Sequence, residues 1–511
     1  LSQPGALVPP ACPLLPHELR CIDHPGSGIF ALSEEIKRTT TIPHSFETLS
    51  NASILVREND LPILATDPWL FGTCYFGSWA LDHPLSDDQL TTMRQAEFYW
   101  ISHGHPDHLH HDSLATLPRG KKILLPDHYS PEIADSLHSE GFDVTILKYR
   151  QWFPLTPTVR VMCIDNMNQD GVLLIEAGDS LLVNLNDSPL CGETKFIRRI
   201  VGQHAREKTY LLALCAIDAD MFNFVDADGK SLAGPPDERK RGMIWRTARI
   251  AETLGVGSFC VSSSQHIYIR SDSIWANPYR VTIADIRQHW HRPRIRVVEP
   301  FVTVDLDTGA IARNHPAQTS DETQITSQTA DDDWSETLSR DEWQKVETFM
   351  RKFRLVRRYV DFVTFTVGGE SHQVDLNPPD KRPAGKRRGI EFIVPRHSLM
   401  ETVTWGYFDD LLIGNFMKTR LINTQLYPRF TPLVAKIGGN AKVFTRSEYY
   451  RFLGRYLRRN PIGTLSTQLS IEVDQVCLPW LRRAADGLGI KRPLKYLYRK
   501  MLGDPVVPDP T

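Results

Sequence analysis

The chain is poor in cysteine, has no long apolar runs and carries no excess of either charge. Its eight cysteines are scattered through 511 residues and no C-x-x-C pair occurs. That pattern excludes a disulfide scaffold and argues against zinc ribbons and thioredoxin-like redox motifs. No apolar run approaches the ~18 residues that suggest a membrane-spanning helix. The proline-broken start, LSQPGALVPPACPLLPHELR, has neither the basic opening nor the apolar core of a signal peptide. The expectation is a cytoplasmic protein with no membrane partner. Lys and Arg number 59 against 61 Asp and Glu, a net charge of −2. That excludes a globally basic nucleic-acid binder. At 41% hydrophobic and 23% charged residues, the chain has the means to bury a full core.

What is present is a series of short apolar segments in close succession. Asn51–Arg57 and Leu61–Thr66 read as strands around a hairpin turn at Glu58-Asn-Asp60. Glu97–Ser102, Lys122–Pro126 and Val144–Leu147 read as further strands, with a helix over Pro131–Glu140. Val159–Ile164, Val172–Glu176 and Ser180–Asn184 follow, the last two joined by the turn Ala177-Gly-Asp179. Consecutive hairpins predict antiparallel or mixed sheets. Lys195–Gln203 and Pro235–Leu254 read as helices and Gly257–Val261 as a strand. The expected organisation is an irregular arm at 1–40, a main domain at 41–306, a polar linker at 307–335 and a basic, aromatic C-terminal domain at 336–511. That last domain is expected to hold a strand at Ile390–Val394 and an amphipathic helix at Ser447–Arg458. The basic run Lys381–Arg388 reads as a solvated loop, and no nucleic-acid partner is expected.

The chemistry is concentrated in Ser102-His103-Gly104-His105-Pro106-Asp107-His108-Leu109-His110, where a short apolar run ends in H-x-H-x-D-H. His103 and His105, two residues apart, can converge on one cation, and Asp107 and His108 can turn to a second. Imidazole with carboxylate suits zinc, iron or manganese.

The segment resembles the signature of the metallo-β-lactamase fold. Asn51-Ala-Ser-Ile-Leu-Val56 followed by Thr66-Asp67-Pro68-Trp69-Leu70 is similar to the opening of that superfamily's broad-specificity branch, and the resemblance covers roughly 44–300. It implies an α/β protein, an αββα sandwich with metals at one edge of paired sheets, followed here by an additional C-terminal α+β domain. It also implies three more ligands. Asp187, after an apolar strand, fits the bridging carboxylate. His266, after Val261, fits the last histidine. The third histidine usual in the family's hydrolases is missing, since no His lies between His138 and His204. Asp165 and Asp170 are the candidates for its place. Asp170 is favoured because it begins the strand paired with the one ending near Asp187. Glu176, at the far end of its strand, is less well placed.

Two histidines and a carboxylate with open positions are the ligand set of oxygen-activating non-haem iron, although zinc hydrolases also use carboxylates. With that replacement the chain resembles the non-haem diiron oxygenases of natural-product biosynthesis. The stretch His266 to Asn277 is also similar to the lactamase-fold part of the CMP-sialic acid hydroxylase family, without that family's Rieske C-x-H and C-x-x-H pattern. The implied protein is a monooxygenase with two iron ions that uses O₂ and an external electron donor. Its implied substrate is a bulky, largely apolar small molecule, a terpenoid or an acyl thioester. The competing expectation is a hydrolase with two zinc ions. Tyr268, Trp275 and Trp69 are candidates for a pocket wall. Asp409-Asp410 reads as a helix start with no chemistry assigned, and His44 as structural.

Overall fold

In the strand Lys122–Pro126 alternate side chains face opposite ways: Leu124 enters one apolar cluster, Ile123 and Leu125 another. Gly171–Ala177 behaves likewise. Its Leu173 and Ile175 share the cluster of Leu124, while Val172 and Leu174 belong to a third. Strands covered on both faces must be apolar at every position, which is why these segments read as unbroken apolar runs.

The computed structural model describes residues 43–216, 224–225, 229–314, 330–427 and 429–472. In it these strands form two mixed sheets packed face to face. The first has eight strands in the order Ile311–Arg313, Val302–Asp305, His44–Thr48, Ile54–Glu58, Leu61–Thr66, Phe98–Trp100, Lys122–Pro126 and Asp143–Leu147. The second has seven: Arg296–Val298, Ser258–Val261, Thr209–Ala213, Ser180–Asn186, Gly171–Ala177, Val159–Asp165 and Trp152–Pro154. Phe46, Trp100 and Leu124 from the first sheet and Val161, Leu182 and Tyr210 from the second fill the space between them. Helices Asp87–Gln95 and Glu132–Ser139 cover the outer face of the first sheet. Helices Thr194–Val201 and Pro236–Leu254 cover that of the second. The result is an αββα sandwich, the architecture that the resemblance implies. Among the described residues no helix is long and apolar enough to cross a membrane.

The predicted elements recur with small shifts. Asn59 and Asp60 take φ of 50° and 63°, the left-handed pair of a tight hairpin turn. The strand expected from Asn51 begins only at Ile54, because Asn51 and Ser53 spend their side chains on Asp107 and on the backbone carbonyl of Asp67.

The C-terminal part carries a five-stranded sheet: Phe224–Val225, Lys418–Ile422, Gly389–Ile393, Phe362–Val367 and Glu370–Asp375. In Phe362–Val367 buried and half-buried residues alternate, so one face only is fully covered. Phe349, Phe365, Phe392, Phe408 and Phe430 form its core. Helices Arg340–Lys352 and Arg396–Trp405 complete it, and Arg446–Arg459 forms the amphipathic helix that the sequence predicts. Within the stretch expected to be a polar linker, Ile311–Arg313 is an edge strand. Asp332 there is buried against Arg270 at 2.8 Å. The arm expected at 1–40 and residues 315–329 lie outside the described residues.

Candidate metal centre

Strands Leu61–Thr66 and Phe98–Trp100 run parallel and end at the same edge, bringing Asp67 and Ser102 side by side. Asp67 accepts from the Ser102 amide at 2.7 Å and its hydroxyl at 2.8 Å. In the second sheet Ser180–Asn186 ends at Asp187, and Ser258–Val261 ends at Ser263, whose hydroxyl donates to Asp187 at 2.6 Å. The two edges are pinned where the Gly171 amide donates to the Ser102 carbonyl at 3.0 Å. A Cβ on Gly171 would stand 2.5 Å from Pro126 Cγ, so this approach requires glycine. Asp67, Asn186, Ser263 and Ser264 all have positive φ, between 40° and 75°. Such strain persists only where the surroundings enforce it, and it clusters at functional sites.

These ends gather most of the sequence-predicted residues. His103 Nε2 lies 2.8 Å from His105 Nδ1. His108 Nδ1 is held by Asp67 at 3.0 Å, which turns Nε2 towards Asp107 (3.4 Å) and Asp187 (3.3 Å). Asp107 accepts from Asn51 at 2.7 Å and from the Tyr75 hydroxyl at 2.5 Å. His266 comes from a small separate sheet and stacks on Trp79 at 3.4 Å. Of the alternatives for the missing histidine, Asp170 is buried and reaches Lys436 at 3.5 Å. Asp165 does not join the cluster: its carboxylate pairs with Arg459. Glu176 pairs with Arg160 and His204. His110 caps the helix His111–Ala115, and His44 meets Thr158 and Glu58 well outside the cluster.

Burial alone would suppress charge on His108, but Asp107, Asp187 and Asp67 outweigh it and push its pKa well above the usual value. Burial works against charge on Asp107 and Asp187 too, yet His108 holds both carboxyls below their ordinary range. Burial drives His266 down to about 3 and His103 well down, so both imidazoles are neutral and have a lone pair to offer. His108 Nε2 and His266 Nδ1 are buried without a hydrogen-bond partner among the described residues. Orphaned imidazole nitrogens facing several carboxylates constitute a donor set that fits metal ions. The donor atoms of His103, His108 and Asp187 lie within 4.8 Å of one another. The Asp67–His108 contact is the carboxylate–imidazole pairing that orients metal-bound histidines.

Four residues of the centre were not singled out as such in the sequence. Asn51 and Tyr75 support Asp107. Asp409 meets His105 Nε2 at 2.7 Å. Lys436 faces Asp170, Asp409 and Asp187, which raise its pKa against the effect of burial. Only Asp409 had a visible signal, a doubled acid in an otherwise apolar stretch. His105, Asp107, Asp170, Asp187 and His266 open onto a cavity of about 370 Å³, with Tyr75, Trp79, Tyr268, Tyr427 and Arg246 among its other walls. Trp69 is buried behind the site, and Trp275 is 40% exposed with its indole N–H on the Asn415 carbonyl.

No family model matches the chain. It is 30% identical over 129 residues to a cytidine monophosphate-N-acetylneuraminic acid hydroxylase of Asterias rubens, a match that covers 24% of this chain and 19% of that protein. Among solved structures it is similar to an isothiocyanate hydrolase from Delia radicum gut bacteria (13% identity, TM-score 0.35, 53% of this chain and all of that one). It is also similar to a variant of the CmlA β-hydroxylase (14% identity, TM-score 0.35, 53% and 54%). Zinc-bound PqqB from Methylobacterium extorquens aligns at 13% identity and a TM-score of 0.30, over 51% of this chain and 99% of that one.

Proposed function

We propose that this protein is an O₂-dependent hydroxylase built around two iron ions on a metallo-β-lactamase fold. The observation that carries the reading is the donor set at the cavity. His105 and His266 line it with Asp107, Asp170 and Asp187, and His103 and His108 stand directly behind them; in this reading Asp170 takes the place of the third histidine usual in zinc hydrolases of this fold. Extra carboxylate charge favours the higher oxidation states that oxygen chemistry needs. The partial match to a protein named a hydroxylase agrees with this reading.

In this reading His103, His105 and Asp170 would hold one ion and Asp107, His108 and His266 the other, with Asp187 available to both. Bound iron supplies O₂ activation, with electrons drawn from a separate donor. The chain's own work is positional. Asp67 fixes the tautomer of His108, so that Nε2 faces the metal edge. Asn51 and Tyr75 occupy both oxygens of Asp107 and fix its direction. Trp79 stacks on His266 and shields it from water. The cavity is of small-molecule size, and Tyr75, Trp79, Tyr268 and Tyr427 give it an aromatic wall for a bulky organic substrate, a terpenoid or an acyl thioester.

The test is to load the protein with Fe²⁺, supply a reductant, and analyse product mass under ¹⁸O₂. Incorporation of one labelled oxygen atom is expected. Anaerobic turnover with oxygen drawn from water, supported by zinc alone, would identify a dinuclear zinc hydrolase instead.

A further inference from the structure

We propose that Asp409 is the positioning residue of His105, so that the metal centre is completed from the C-terminal part of the chain. The inference rests on the reading that the histidine cluster holds metal. An imidazole has two ring nitrogens, and a hydrogen bond at one decides what the other offers. His105 Nε2 lies 2.7 Å from Asp409 Oδ2, and its Nδ1 lies 2.8 Å from His103 Nε2. With Nε2–H donated to the carboxylate, Nδ1 keeps its lone pair and points it to the spot where His103 also points. His108 is treated in the same way with the nitrogens exchanged: Nδ1 goes to Asp67 and Nε2 faces Asp107 and Asp187. Both pairs therefore have the geometry of a carboxylate orienting a metal-bound imidazole.

The two carboxylates differ in origin. Asp67 belongs to the first sheet, one strand away from His108. Asp409 is 304 residues from His105 in the chain. It is 2% exposed, and its neighbours Phe408, Leu411 and Leu412 are fully buried in the C-terminal phenylalanine core. The Ser78 hydroxyl ties the following turn to the sandwich by donating to the Gly414 carbonyl at 2.5 Å. The Asn415 amide does so by donating to the Tyr268 hydroxyl at 3.3 Å. Asp409 is thus held by packing on both sides, and the ring of His105 turns to meet it. The short helix Asp409–Ile413 of the C-terminal part in this way contributes to the site without entering the H-x-H-x-D-H loop.

The experiment uses the full chain, stripped of metal and titrated with Co²⁺ against a competing chelator. Affinity and the visible Co²⁺ spectrum are both recorded. Asp409→Asn keeps an acceptor but loses the charge, and about a tenfold weaker site with a shifted spectrum is expected. Asp409→Leu should weaken that site by about a hundredfold, the other site being little changed. Wild-type affinity and spectrum in the Asn variant would overturn the proposal, and that variant carries the test if the Leu variant does not fold. Loss of one whole equivalent in Asp409→Asn, as expected for His105→Ala, would also overturn it by making Asp409 a ligand. His103→Ala tests the underlying reading separately: undiminished Co²⁺ binding there would remove the metal centre itself.

Discussion

Asp361, under the C-terminal sheet, and Asp107, at the sandwich edge, are 1% and 2% exposed, yet their surroundings differ. Asp361 accepts from the Arg388 amide at 3.0 Å, from the Asn377 side chain at 3.0 Å and from the Arg388 guanidinium at 3.3 Å, and it forms an ion pair with Arg382 at 3.2 Å. Donors and charge both match it. Asp107 has a neutral amide and a phenol, with the nearest positive charge on a histidine that Asp187 and Asp67 share. Asp170 and Asp409 add further carboxylates along the same cavity. A buried charge with dedicated counter-charges stabilises a fold. At the sandwich edge several buried carboxylates share Lys436 and His108 and stand beside orphaned imidazole nitrogens, the perturbed arrangement that clusters at functional sites.

The contrast is open to direct attack. Asp187→Ala should have the largest effect, with loss of both metals and of activity, because a bridging carboxylate serves two cations. Metal analysis of the purified variant checks this, and two retained ions would remove the bridge. Asp107→Ala should halve the metal content and abolish turnover while the apo-protein melts close to wild type. Asp170→Ala should empty or severely weaken one site, since a direct ligand is lost. Asp165→Asn should leave metal affinity unchanged, since that carboxylate serves Arg459, and equal effects of the two would erase the distinction between them.

Asp361→Ala should behave in the opposite manner, with intact metal binding and a stability loss of about 2 kcal/mol from guanidinium donors left without their acceptor. Chemical denaturation of the metal-free protein measures it. Burial opposes the charge on Asp361, but Arg388 and Asn377 lower its pKa to about 2. A carboxyl with a depressed pKa adds stability that is complete above its ordinary value near 4 and is lost as pH falls towards 2. The wild-type stability curve should therefore be steeper than that of Asp361→Asn in that window. Tyr75→Phe should have the smallest effect, a few-fold rise in the metal dissociation constant, since one hydrogen bond to Asp107 is removed and Asn51 remains.

The H-x-H-x-D-H loop was legible because its donors are adjacent in the chain and follow a buried strand. Asp187 and His266 were legible at lower resolution, as polar residues just beyond apolar runs. The choice between Asp165 and Asp170 was legible only as a preference for Asp170, the one that lines the cavity. Asp165 pairs across its hairpin with Gly171, so the two carboxylates are neighbours in space. Which of them faces the cavity depends on the turn between them and on Arg459, which draws Asp165 away. Trp69 and Trp275, two aromatic candidates for the cavity wall, lie behind the site and at the surface, while Tyr268 does line it.

Local pattern by itself determined many of the strands, though not His44–Thr48 or Thr209–Ala213, together with the hairpin turn at Asn59-Asp60 and the chemical character of the edge, because each depends on residues within reach of a few peptide units. Only the tertiary structure decided that Asn51 and Tyr75 hold Asp107, that Lys436 stands among the carboxylates, and that Asp409 meets His105 across 304 residues. Contacts of that kind depend on how two sheets and a third, separately cored sheet pack against one another. Their energy comes from apolar surfaces, and the polar groups that meet as a consequence leave no periodic trace in the chain.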